Sequence, residues 1–297
     1  MKRYDYLQKL MGCELQVSIF SDDVQQADLS FADVYILGQK LEEEFSRFLP
    51  DSALSQLNRH KEITPSRTFR ELFLKAKQLY EETDHIFNPT IRLDLLGYDK
   101  DFSQHKTFTP KEGQLDTDFS QATLQEKITL PANQKIDFGG FLKGYFCDRA
   151  IENLPSAIVN LGGDLRTKGP AHTFEILNPL TQEAIELTLQ NQALATSGTY
   201  KRQWQDQAHI VTEKNQNPDT DLLSVSVIAP TAEIADAYAT TAFILGSEKA
   251  TELLKRKKLD YIFVVKNGNI IRTIGKIISK RSIYLTIFSV FFQSSYG

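Results

Sequence analysis

Cysteine is nearly missing from this sequence: Cys13 and Cys147 stand far apart and form no CxxC or Cys/His pattern. That excludes a disulfide framework and a zinc site of the usual spacing, and it fits reduced thiols in the cytoplasm. A basic excess is missing as well. The 34 Lys and Arg are outnumbered by 38 Asp and Glu, a formal charge of −4 with no long run of one sign. Nucleic acid is therefore not an expected partner. No apolar run of signal-peptide length follows Lys2 and Arg3, so export by that route is not expected. The apolar stretch at 283–292 follows the basic residues of 276–281, and it is too short to span a bilayer as a helix.

What remains is ordinary globular composition, 41% hydrophobic and 24% charged over 297 residues, enough chain to close one large core or two modest ones. No internal repeat or low-complexity linker divides it. The expectation is one α+β domain over residues 1–275 and a tail, 276–297. The tail reads first as an appendage outside the fold, then as a last core strand, then as a peripheral membrane contact.

Alternating apolar and polar residues at 14–20 predict a half-buried strand. Over 28–48 apolar residues recur at three- and four-residue steps, the mark of a helix with one buried stripe. Pro50 ends it, and Asp51 or Ser52 is placed to cap a short helix carrying Leu54 and Leu57. Another amphipathic helix is expected over 67–83, Asn88-Pro89 turns the chain extended, and a polar loop follows to about 120. Further strands are expected at 127–130, 157–161, 173–177, 184–188, 222–228 and 260–265, and helices over 140–153, 232–244 and 247–257.

Some segments carry chemistry. Residues 135–140, KIDFGG, lead from an expected strand through two glycines into a helix bearing Lys143. A bare backbone approaches an anion closely, and the first helical N–H groups and the helix dipole favour it there. Taken alone, a plain tight turn with Lys143 in solvent is the more ordinary reading. Gly162-Gly163 ends the apolar run 157–161, and by itself makes only a hairpin. Ser197 sits in a cluster of hydroxyls and glycine at 196–199. Asp236 and Thr240 are four residues apart on an expected helix and so share a face. One carboxylate and one hydroxyl suit Mg²⁺, which keeps waters and takes its other oxygens from substrate phosphates. Alone, Asp236 reads more simply as a helix cap. His209, just before Ile210 and Val211, is a candidate base at a strand edge.

In order along the chain stand FSRFLPDSALSQLN, NPT, DFGGFLKGYFCD, NLGGD, TSGTYKR, HI and ADAYATTAFILG. They resemble the FSxYxPDSxLSxLN, DPT, DxGGxxKGYxxD, NxGGD, TSGxYxR, H-I and ADAxxT motifs of the FAD:protein FMN transferases, the ApbE family. The likeness runs over about residues 10–275, and ordered motifs are specific where each alone is weak. The resemblance implies an α+β, T-fold-like domain with FAD in a cleft between lobes and Mg²⁺ on its pyrophosphate. The implied reaction moves the FMN half of FAD onto a Thr or Ser hydroxyl of an acceptor flavoprotein of a redox or electron-transport system, releasing AMP. By the same resemblance Gly140, Asp236 and Thr240 fall at the metal site. Met11, Phe48, Ile86, Phe87, Asn88, Asp137, Lys143 and Val211 fall at flavin contacts, with Ser197 and His209 close by. The candidate catalytic set is Asp236, Thr240, His209 and Lys143.

The chain departs from the family pattern in places. Phe48 stands for a tyrosine, which keeps the ring and loses a hydroxyl. Asn88 stands for an aspartate before Pro-Thr, and after His209-Ile210 the family's D/N-P-x-T-G is replaced by Val211-Thr212-Glu213-Lys214-Asn215. Should that altered turn fail to seat the acceptor, water attacks instead and the chain is an FAD pyrophosphatase. A flavin-binding protein without turnover is a third reading, against which the intact Asp236 and Thr240 count.

Overall fold

The computed structural model describes residues 1–90, 116–198, 203–204, 207–208, 210–212, 214, 216–278 and 288–289. The chain opens on a hairpin of β1 (Lys2–Leu10) and β2 (Cys13–Ser21), with Met11 and Gly12 at φ of 50° and 67° in its two-residue turn. Both residues take the positive φ of a primed turn, whose twist suits paired strands. β2 covers the strand expected at 14–20. The periodicity does not reveal β1, because most of its residues are polar and exposed; Tyr4, Tyr6 and the last residue, Leu10, turn toward the core. Tyr6 then stacks on Phe31 of the following helix at 4.4 Å.

That helix, α1 (Val24–Phe45), buries Ala27, Val34, Leu41 and Phe45. After the Pro50 break, Ser52 caps α2 (Ala53–His60) by accepting from Ser55 N. β3 (Glu62–Ile63), α3 (Arg67–Glu82), β4 (Thr123–Leu124) and β5 (Ile128–Thr129) follow, the short strands forming a three-stranded sheet. Most of the polar loop expected before 120 lies outside the described residues.

The main body is then laid down by α4 (Leu142–Ile151), β6 (Ala157–Leu161), β7 (Asp164–Lys168), β8 (His172–Leu177), β9 (Ala184–Leu189) and β10 (Ala193–Gly198). A small pair, β11 (Gln203–Trp204) and β12 (Gln207–Ala208), precedes β13 (Leu222–Ala229), α5 (Ala232–Leu245), α6 (Ser247–Lys257), β14 (Asp260–Val265) and β15 (Ile270–Arg272). Finally β16 (Lys276–Ile278) pairs with β9, and β17 (Phe288–Ser289) with β8. The large sheet is antiparallel throughout, in the order β1-β2-β6-β7-β10-β13-β14-β15.

Side chains alternate across that sheet with the period of two that strands impose. Val159, Leu161, Ala193, Ala195, Val225 and Val227 join the core shared with the helices. Their neighbours Ile158, Leu165, Leu194 and Ile228 pack instead with Phe174, Leu187 and Leu189 of β8 and β9. The central strands are buried on both faces, which is why 157–161 reads as an almost unbroken apolar run. Helices on one face and a second sheet on the other make this the α+β fold expected. Among the described residues, no helix is long and apolar enough to cross a membrane.

One contact fixes how α4 and α5 lie together. A Cβ on Gly144 would stand 2.3 Å from the Ala232 carbonyl oxygen, so only glycine permits this approach. Beyond it, Asp148 of α4 accepts from Ala232 N and Glu233 N at 2.9 Å each, capping α5 from the neighbouring helix. Gly144→Ala is expected to lower the unfolding free energy by about 1–3 kcal/mol, read as an earlier denaturant midpoint. An unchanged midpoint would mean that the two helices part without cost.

Candidate active site

The turn Leu161-Gly162-Gly163-Asp164 closes the β6–β7 hairpin, with Leu161 paired to Asp164. Both glycines have positive φ, 63° and 109°, and a Cβ on Gly162 would press to 2.8 Å from Cys13 Sγ. The plain hairpin reading of this pair is right as far as it goes. The turn also starts β7 with Asp164, which is 2% exposed and bonded through Oδ2 to Lys143 Nζ.

Lys143, in the first turn of α4, is therefore not a solvated lysine. Its Nζ also lies 3.5 Å from Asp236 Oδ2 of α5. Burial alone would lower its pKa, but the Asp164 and Asp236 carboxylates outweigh that and hold it above the ordinary lysine value. Asp236 is 5% exposed; burial first, and then the Asp164 carboxylate, push its pKa well up. Nor does Asp236 cap its helix, since Thr231 and Asp148 do. One turn further along the same face, Thr240 Oγ1 meets Ser197 Oγ of β10 at 3.0 Å. Residues from β7, β10, α4 and α5 thus converge as one cluster of Lys143, Asp164, Ser197, Asp236 and Thr240.

With both ionised, two buried carboxylates sharing one ammonium carry an excess negative charge, which is costly without further positive charge. Among the described residues, none donates a hydrogen bond to the buried Asp236 Oδ2. A carboxylate oxygen so placed, beside two hydroxyls, is a hard-oxygen donor set that fits Mg²⁺. Among the described residues, no group of three or more His, Cys, Asp and Glu side chains could hold a metal by itself. A cation here needs further oxygens from outside, as a diphosphate supplies.

The flavin-side candidates are arranged by tethers rather than by a strand. Residues 135–138, expected as a strand, sit in no sheet. Asn58 replaces the missing ladder: its Oδ1 accepts from Ile136 N and its Nδ2 donates to Ile136 O, each at 2.8 Å. Asp137 N donates to Pro89 O at 2.8 Å. The Asp137 carboxylate accepts from Gly139 N at 2.9 Å and from Arg47 Nε at 3.0 Å, and the Arg47 guanidinium lies 4.4 Å over the Phe48 ring. Phe87 closes on Gly140, 3.1 Å from where a Cβ would stand. α4 itself begins without a side-chain cap, and Phe138 O takes the Phe141 and Leu142 N–H groups.

Asn88 is buried, and its Oδ1 accepts from Thr90 N and Oγ1 as an aspartate would. Its amide also donates to Thr117 O at 2.8 Å, which a carboxylate cannot do. Val211 is buried, while Met11 and Ile86 are half-buried and, like Val211, bring only apolar surface. After Val211, Thr212 N donates to Gln216 O at 2.8 Å. His209 lies outside the described residues, as do 199–202 of the TSGTYKR motif.

Sequence reasoning misses Asp164, Asn58 and Arg47 as site residues. Each stands inside a segment singled out for its neighbours: Asp164 directly after the glycine pair, Arg47 and Asn58 within the stretch 45–58. A cavity of about 540 Å³ lies elsewhere, against Ile234 and Tyr238 on the side of α5 turned from Asp236. Its lining charges pair with one another, Lys75 with Glu233 at 2.7 Å and Lys257 with Glu82 at 2.9 Å.

Residues 11–263 match the family model described as the ApbE family. The chain belongs to the ApbE family. A relative in Klebsiella pneumoniae (strain 342), named FAD:protein FMN transferase, is 30% identical over 298 residues, 90% of this chain and 91% of that one. A protein of the same name in Haemophilus influenzae is 26% identical over 300 residues, covering 88% and 86%. The solved ApbE protein of Thermotoga maritima shares the fold, with a TM-score of 0.81 at 23% identity over 92% of this chain and 97% of that one. In this ApbE-family chain the Asn58 tether generates a direct prediction. Asn58→Ala leaves the Ile136 N–H and carbonyl unpaired and is expected to cost about 1–3 kcal/mol, with faster amide exchange over 135–139. Unchanged exchange there would show that other contacts hold the segment.

Proposed function

We propose that this chain is an Mg²⁺-dependent FAD:protein FMN transferase that moves the FMN half of FAD onto a Thr or Ser hydroxyl of an acceptor flavoprotein and releases AMP. The observation that carries this reading is the buried Lys143–Asp164–Asp236 cluster beside the Ser197–Thr240 hydroxyl pair. Family membership supports FAD as donor and a protein as acceptor. Redox and electron-transport flavoproteins are the proposed acceptor class.

Asp236 and Thr240, with the Gly140 carbonyl, would hold Mg²⁺. Bound there, the ion supplies Lewis-acid and template chemistry on the diphosphate. The chain's own residues do the rest. The Lys143 ammonium sets a fixed positive charge beside the diphosphate, where charge grows as the bond to AMP breaks. The N-terminus of α4, which carries Lys143, adds its dipole. Asp137, locked by Arg47 and Gly139 N, presents acceptor oxygens to a ring or sugar donor. Phe48 and Phe87, with Met11, Ile86 and Val211, offer aromatic and apolar surface to flat rings. The acceptor oxygen forms the new bond to the FMN phosphorus, the bond to the AMP oxygen breaks, and His209 is the proposed acceptor of the hydroxyl proton.

The changed turn after Val211 favours one competing outcome, attack by water, which makes FMN and AMP without labelled protein. Both are read together by incubating the protein with FAD, Mg²⁺ and an acceptor, then measuring in-gel flavin fluorescence and AMP. Labelled acceptor with stoichiometric AMP is expected, lost on chelation and restored by Mg²⁺. Asp236→Ala is expected to abolish transfer, whereas Lys143→Ala should cost less, roughly a hundredfold. Undiminished transfer by Asp236→Ala at saturating Mg²⁺ contradicts the reading.

A further inference from the structure

We infer that Lys143 competes with a divalent cation for Asp236, and that Asp164 is the positioning residue that holds Lys143 to one side, so that metal alone binds weakly and metal with diphosphate binds well. The inference rests on the reading above that this site takes a metal ion. Its basis is the uneven placement of one ammonium between two carboxylates. Lys143 Nζ is bonded to Asp164, but only within 3.5 Å of Asp236 Oδ2, which among the described residues has no hydrogen-bond donor on it.

Asp164 cannot drift to follow the lysine. It opens β7 directly after two glycines of positive φ, its carbonyl accepts from Cys147 Sγ at 3.1 Å, and its side chain is 3% exposed. Lys143 is anchored in the first turn of α4, and Asp236 in α5, which packs on α4 through Gly144. The three charges are therefore set by backbone, and a cation arriving at Asp236 must sit next to the ammonium.

Charge balance gives the consequence. With Asp236 ionised, as a metal ligand must be, two carboxylates and one ammonium sum to one negative charge. A divalent cation alone turns that into one net positive charge inside a buried site, where like charges repel strongly. A diphosphate arriving with the ion restores negative charge and gives Lys143 a second anion to face. Asp164 keeps Lys143 from closing fully on Asp236 while no ion is there.

Mn²⁺ binding to the full-length protein, followed by electron paramagnetic resonance without and with FAD, tests this on Lys143→Met, Asp164→Asn and the double variant. Without FAD, Lys143→Met is expected to bind Mn²⁺ at least about tenfold more tightly than the parent. Asp164→Asn should bind it more weakly, and adding Lys143→Met to Asp164→Asn should tighten it again. With FAD present, the gain from Lys143→Met should vanish. Should Lys143→Met fail to fold because two carboxylates are left facing each other, the double variant against Asp164→Asn gives the same comparison with one carboxylate fewer. Mn²⁺ affinity without FAD that is the same with and without Lys143, in a parent that binds Mn²⁺, overturns the inference and leaves the metal site standing. A parent that takes up no Mn²⁺ even with FAD overturns both.

Discussion

Asp164 and Asp236 are two carboxylates taken out of water side by side, an arrangement that is strongly unfavourable unless positive charge is fixed against it. Lys143 provides part of that charge, and everything else about the site follows from how the backbone holds these groups in place. The glycine pair after β6 delivers Asp164. Gly144 lets α4 lie against α5 closely enough for Lys143 and Asp236 to share one space. Asp148, reaching from α4 to cap α5, fixes the register between those helices. The two-faced burial of the central strands supplies a rigid sheet behind them.

The other half of the site depends on side chains that act as backbone partners. Asn58 supplies both hydrogen bonds that a neighbouring strand would have given Ile136, and the Arg47–Asp137 pair joins the Phe48 ring to the glycine turn. This accounts for two departures from the family pattern. At position 88 the amide keeps the acceptor role toward Thr90 and adds a donor toward Thr117. At position 48 the ring remains, faced by a guanidinium that interacts with it without any hydroxyl.

The regular elements with strong periodicity were legible in the sequence: α3, α5 and α6, and β6, β13 and β14, fall where apolar spacing puts them. β1 was not, because an edge strand with polar outer positions shows little alternation. Residues 135–138 were expected to form a strand but are held by Asn58 and Pro89 instead, and no local pattern encodes a partner so distant in the chain. The same limit hid Asp164. Spacing on one helix reveals that Asp236 and Thr240 share a face, whereas the meeting of α4, α5 and β7 is a tertiary fact. The motif order made up for this in part: it placed Lys143, Ser197, Asp236 and Thr240 in one site, and the fold brings those four together.

The most direct measurement is an anomalous difference map from crystals soaked with Mn²⁺ and FAD. The account predicts one strong peak bound by Asp236 and Thr240, with the flavin's diphosphate completing its shell and facing Lys143. A peak bound by other residues, or a diphosphate lying away from the Lys143–Asp164–Asp236 cluster, contradicts it.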